Sequence, residues 1–182
     1  MEWNKLIIGQ LEFYWDVHLR PRLNGLTDTE YFWEPVPGAW NLRHVEGRWR
    51  ADSAWPPPDP APVTTIAWRI VHLATHGLQN RAGAFFGEDR FDGADMNDPI
   101  RYADETLPGT ADEAVTYFEK CYRQWLDGIS ALDETAMEAK LGPKGGAFAD
   151  DTMAGLIVHI NREVMHHGGE IALLRDLYER LG

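Results

Sequence analysis

The sequence predicts an all-α fold, specifically a four-helix bundle, on three observations. Apolar residues recur at spacings of three and four in four separate stretches, the period of a helix with one buried face. Strand signals are weak everywhere. The segments between the helical stretches are rich in Pro, Gly and Asp, which predicts long connecting loops, one Pro/Trp-rich and one acidic. A length of 182 residues suits one domain covering 1–182, large enough to bury a core without disulfides or a structural metal. Four amphipathic helices in such a chain read as a bundle.

The first helix is expected from about Trp3 to Leu19, with Trp3, Ile7, Leu11, Tyr14 and His18 on one face. Pro21 is expected to end it, because proline lacks a donor and clashes with the preceding turn. Thr27 and Glu30 have capping-box spacing, which predicts a short helix after it. Residues 34–63 carry Pro35, Pro37, Pro56, Pro57, Pro58, Pro60 and Pro62 among Trp40, Trp49 and Trp55. No helix fits there, and the segment is either a lid over a site or a packed surface loop.

The second helix is expected from an N-cap at Thr64 or Thr65 to about Phe86. Ile66, Ile70, Leu73 and Ala84 form its core stripe, with Trp68, His72 and His76 together on an adjoining face. Residues 88–109 read as a solvated acidic loop, since Asp89, Asp92, Asp95 and Asp98 lack the spacing of a calcium-binding loop. Thr110 and Glu113 form a second capping box, opening a third helix with Val115, Phe118, Tyr122, Trp125, Ile129 and Leu132 at helical spacing. After the glycine-rich turn 142–146, the fourth helix runs from near Asp151 to about Tyr178, on a stripe of Leu156, Ile160, Val164, Ile171, Leu174 and Tyr178.

Composition narrows the function. Twenty-nine acidic against seventeen basic residues give a net charge of −12, which argues against nucleic acid, whose binding needs clustered Lys and Arg. A single cysteine, Cys121, excludes an internal disulfide, a CxxC redox pair and a classical zinc finger. On the third-helix stripe it reads as a small buried hydrophobe. No window approaches the ~20 apolar residues of a membrane span, and the N-terminus shows no basic patch leading into an apolar stretch, so the expected location is the cytoplasm.

The chemistry centres on the seven histidines. His167 falls roughly 20° from the middle of the fourth-helix stripe, and Glu163 lies one turn earlier on the same side. An imidazole and a carboxylate on a core-facing stripe need a compensating partner, because an unpaired buried charge costs several kcal/mol. A divalent cation is one such partner, and side chains at i and i+4 converge on a common point. A third ligand then comes from another helix, with His72, or its i+4 neighbour His76, as the donor. The alternative is structural: Glu163 and His167 bonded to each other at a helix surface, and His72 bonded to a backbone carbonyl. An ExxxH spacing by itself is common. No partner for the second ring nitrogen of His167 emerges, as Glu170 and Asp176 lie off the stripe.

His72-Leu73-Ala74, together with the run from Glu163 to Arg175 ending in HHGGEIALLR, resembles the DinB-like superfamily. Residues 20–28 and 33–37 resemble the opening of one branch of it. The resemblance implies a bundle connected up-down-down-up, with a metal held by one His of the second helix and two ligands on the fourth. Carried over residue by residue, these are His72, Glu163 and His167. Many members have His at both fourth-helix positions; Glu163 is similar instead to the mycothiol-dependent maleylpyruvate isomerase branch, whose zinc is held by two His and one Glu. Zinc suits such a set, although nickel or iron would also accept it. His76 stands as an alternative ligand or supporting group, and His18 as a pocket-lining residue. No catalytic residue beyond the metal site emerges.

Three protein ligands leave an open coordination position, the mark of a catalytic site. The resemblance implies a metal that activates a low-molecular-weight thiol, such as mycothiol or bacillithiol, for transfer to a small electrophilic substrate. It also implies a homodimer. Two other readings stand beside this one: metal-assisted hydrolysis, for which no separate general base is evident, and a non-catalytic, stress-associated binding protein with a structural metal.

Overall fold

A computed structural model of the chain describes residues 3–87, 91, 93–101 and 107–182. The chain is mostly helical. Helix α1 comprises an α-helix Trp3–Phe13, a π-helical stretch Tyr14–Leu19 and a final turn Arg20–Arg22. Short α2 spans Asp28–Tyr31, and strands β1 (Leu42–Val45) and β2 (Arg48–Ala51) form an antiparallel hairpin. Helix α3 is again composite: Ile66–Val71, a π-helical His72–Gln79 and Asn80–Phe85. Helix α4 spans Ala111–Ser130, short α5 Glu134–Glu138, and α6 Met153–Leu181.

Helices α1 and α3 each pack against both α4 and α6. Leu11 and Leu19, Ile70 and Leu73, Phe118 and Trp125, and Ile160 and Val164 are fully or almost fully buried between them. Each such aliphatic side chain contributes about 1.5–3 kcal/mol by leaving water. Trp15 stacks on Tyr122 with ring centres 3.9 Å apart, joining α1 to α4.

Several expectations need correction. The buried face of α1 is Ile8, Leu11, Trp15 and Leu19, while Trp3 is exposed. The large Trp15 and Leu19 take the core, and His18 turns outward beside Phe13 and Tyr14. Pro21 does not end α1, which continues to Arg22. The π-helical stretch before it changes which carbonyl each amide would meet, so a missing N–H is tolerated there. Residues 42–51 form strands although alternation is weak, because Gly47 at φ 78° and Glu46 at φ 51° supply a tight turn.

The N-caps follow the expected residues. Thr27, Thr65 and Thr110 each accept a backbone N–H from three residues on. The boxes are incomplete for identifiable reasons. Glu113 reaches the Gly109 amide at 2.9 Å, and Glu30 is claimed by Arg175, which donates to both its carboxylate oxygens at 2.7 and 3.1 Å. Helix α6 begins at Met153 behind its cap Thr152 and ends at Leu181, beyond Tyr178. Cys121 is fully buried, with its Sγ 3.4 Å from Gln79 Oε1. Of the acidic loop, Asp89 and Asp92 lie outside the described residues. Asp95 and Asp98 accept backbone amides two residues ahead, which makes them turn residues.

Candidate metal centre

His72 opens the π-helical stretch of α3, a feature that concentrates at functional positions because it re-aims side chains. Its ring stacks on Trp68, centres 5.0 Å apart and planes 12° from parallel. Trp68 is in turn held by the Pro/Trp-rich segment. Its indole N–H donates to the Asp52 carbonyl at 2.8 Å, and its ring lies 5.7 Å from Trp40. Buried Asn41 ties that segment to the start of α3, accepting from the Thr65 hydroxyl at 3.0 Å and donating to the Phe32 carbonyl at 2.9 Å. The segment is thus packed onto the helix that carries His72, even though Trp55 at its far edge is 91% exposed.

Opposite His72, α6 presents Glu163 and His167. The His72 and His167 rings are nearly perpendicular with centres 5.0 Å apart. His167 Nε2 lies 3.3 Å from Glu163 Oε2, and His167 Nδ1 lies 2.6 Å from Glu170 Oε2. Arg69 approaches Nδ1 at 3.1 Å and Glu170 at 3.0 Å. A guanidinium only donates, so Nδ1 cannot accept from Arg69 while donating to Glu170. The shorter contact marks Nδ1–H as donor to Glu170, so that a ring carrying one proton presents its Nε2 lone pair to Glu163.

One ligand atom each from His72, Glu163 and His167 lies within 4.8 Å of the others. Burial pushes the His72 imidazolium down to about 3, with His167, His76, Arg69 and Arg81 adding to the effect. His72 is therefore a neutral lone-pair donor at neutral pH. Two acceptor atoms 3.3 Å apart, Nε2 and a carboxylate oxygen, require a cation between them. A proton on Nε2 would satisfy that single contact, whereas a metal ion would satisfy it and the converging His72 together. The separation also matches the ~3.4 Å between two ligands held 2.0–2.1 Å from a tetrahedral zinc. The donor set fits a divalent ion.

A second group, His166, His167 and Glu170, also has converging atoms. It is a weaker candidate, since all three residues come from one helix, His166 is exposed, and Glu170 already meets Arg69 and His167. His76 lies one turn beyond His72, ring centres 5.9 Å apart, and belongs to neither group. Burial, then Arg81, lowers its pKa. Exposed His18 is not brought to the cluster.

Helix α1 packs on α6 next to the turn that carries His167. A Cβ on Gly168 would stand 2.6 Å from the Tyr14 hydroxyl, so a larger residue there would displace the Tyr14 side chain. Tyr14 uses that proximity to donate to the Met165 carbonyl at 3.1 Å. Sequence reasoning set Trp68 on the face of His72, weighed Glu170 as a partner of His167 without assigning it, and missed Arg69. The signal for Glu170 was its i+3 spacing from His167; that for Trp68 was its i−4 spacing from His72.

The fold and this cluster define a helical protein with a two-helix His/Glu donor set. The DinB superfamily profile matches residues 10–171, and the chain belongs to that superfamily. No curated protein and no solved structure matches the chain. No helix among the described residues is long and apolar enough to cross a membrane.

Proposed function

We propose that the protein is a metal-dependent enzyme in which His72, Glu163 and His167 hold one divalent ion, zinc by the chemistry of the set, within helices ordered up-down-down-up. The observation that carries this reading is the convergence of three electron-pair donors from two helices, with one imidazole neutral and the other oriented by Glu170. A metal with three protein ligands would lower the pKa of a water or thiol at its open position. Carboxylate partners such as Glu170 fix the ring and raise its basicity as a ligand. Trp68 holds the plane of the other imidazole.

The nucleophile is a small external thiol, and the reaction its transfer to a small electrophile. The one cysteine of the chain is buried on α4, its Sγ 3.4 Å from Gln79 Oε1, and so does not supply the sulfur itself. Zinc-reconstituted protein is expected to hold one ion per chain and to consume electrophiles only when a thiol is present. Activity unchanged when every thiol is omitted would overturn the thiol reading in favour of hydrolysis, and absence of bound metal would overturn both.

A further inference from the structure

A cavity of about 780 Å³ opens between the end of α3 and the second half of α4, a volume suited to a small molecule. It shares no residue with His72, Glu163 and His167, and no residue of α6 lines it. Nothing in the metal reading uses it.

Two of its lining residues are not explained by the fold. Asn80 is 3% exposed, and its Nδ2 has no hydrogen-bond partner among the described residues. An amide nitrogen only donates, and a buried donor without an acceptor costs stability. Gly83, about one turn further along α3, sits inside a helix, where glycine is less stable than alanine. A Cβ there would meet only Arg101 Nη1, at 4.0 Å, among the described residues. On α4, by contrast, a Cβ on Gly128 would run into the Phe86 ring. Packing therefore requires Gly128, whereas Gly83 keeps helix backbone open to the cavity. Glycine serves that purpose where a ligand must come close to the main chain.

The rest of the wall narrows the ligand. Phe86 and Phe91 supply aromatic faces, on which flat rings stack. At the rim, exposed Lys120 and Asp127 lie about two turns apart on α4 and offset one another in charge. Buried Arg101 directs Nε and Nη2 to the carbonyls of Asp95 and Ala94, each at 2.7 Å. We propose that this cavity is a second binding site, for an uncharged, flat nitrogen heterocycle of the nucleobase type. A ring nitrogen or carbonyl of the ligand accepts from Asn80 Nδ2, and its edge lies against Gly83. The site stands independently of the metal reading.

Calorimetric titration with adenine, indole and δ-valerolactam tests this. Adenine is flat and carries ring-nitrogen acceptors; indole is flat without one; the lactam has an acceptor on a buckled ring. Adenine is expected to bind metal-stripped and zinc-loaded protein alike, and the other two at least tenfold more weakly. Asn80→Leu replaces the unpartnered amide by an apolar side chain of similar size and should weaken adenine by roughly tenfold. Gly83→Ala should raise the melting temperature of the free protein and weaken adenine by a similar factor, so the test survives if Asn80→Leu fails to fold. Failure of adenine to bind would leave the Asn80 amide to a water molecule and overturn the proposal. Indole or lactam binding as tightly as adenine, adenosine monophosphate binding more tightly than adenosine, or either folded variant binding adenine normally would overturn it as well.

Discussion

Helix α6 carries two charged clusters about two turns apart, and they are satisfied in different ways. At Arg175 the guanidinium grips both oxygens of Glu30, which is 4% exposed, and donates to the carbonyls of Arg22 and Asn24. Each charge there has its opposite, and the group is complete within the chain. At His167 the atoms facing one another are electron-pair donors: Nε2, the Glu163 carboxylate and His72. The first arrangement is what a buried ion pair needs to persist. The second, on the metal reading proposed above, would be completed by a cation from outside. Burial of charge alone does not mark a functional site; the sign of what faces it does.

The largest effect should come from breaking the complete cluster. Arg175→Ala leaves buried Glu30 without its partner, and a loss of about 3–5 kcal/mol is expected in denaturant melts. Zinc stoichiometry of the folded fraction should stay unchanged, which would separate the two clusters cleanly. His167→Ala should do the reverse. The metal-free variant should melt close to the metal-free parent, but the added stability of zinc, about 2.7 kcal/mol at a hundredfold excess over Kd, should vanish. If Arg175→Ala abolished zinc binding in folded protein, the two regions would not be independent.

Glu170→Gln probes a finer distinction. The amide can still accept from Nδ1–H but no longer carries the charge that meets Arg69. Zinc affinity measured by chelator competition should fall about 10–100-fold, as for the loss of other ligand-orienting carboxylates. Unchanged affinity would mean that the Glu170 charge does not tune the site.

The smallest effect is a pH dependence of the metal-free protein. His72 keeps its proton off in the fold down to about 3, against an ordinary value of 6.5 in the unfolded chain. The unfolded state therefore binds more protons in that window, and stability falls as pH drops below about 6.5 towards 3. Burial of His76 and His159 acts in the same direction. In urea melts between about pH 5 and 7.5, His72→Asn should flatten the decline but not abolish it. An unaltered slope would contradict a neutral, buried His72.

The helices were legible because each burial stripe repeats with helical period: Phe118, Trp125 and Ile129 on α4, and Ile160, Val164 and Ile171 on α6, are buried as their spacing predicts. The first helix was misjudged by about one residue in register. Hydrophobicity ranks Tyr14 and Trp15 similarly, and only the stacking of Trp15 on Tyr122 from a distant helix decides between them. The π-helical stretches leave no period in so few residues. The hairpin within the Pro/Trp-rich segment rests on turn geometry and on Asn41, whose contacts reach residues far along the chain. At the candidate site, His72, Glu163 and His167 were readable from i,i+4 spacing and the family resemblance. Trp68 was legible as a neighbour of His72 on its face, but Arg69 was not, because its role depends on how α3 meets α6.

Diffraction from crystals of zinc-reconstituted protein at wavelengths flanking the zinc absorption edge tests the central claim most directly. One anomalous peak is expected per chain, bounded by His72, Glu163 and His167 and absent in His167→Ala. A peak at His166 and Glu170 instead, or no peak at full zinc loading, would contradict the assignment.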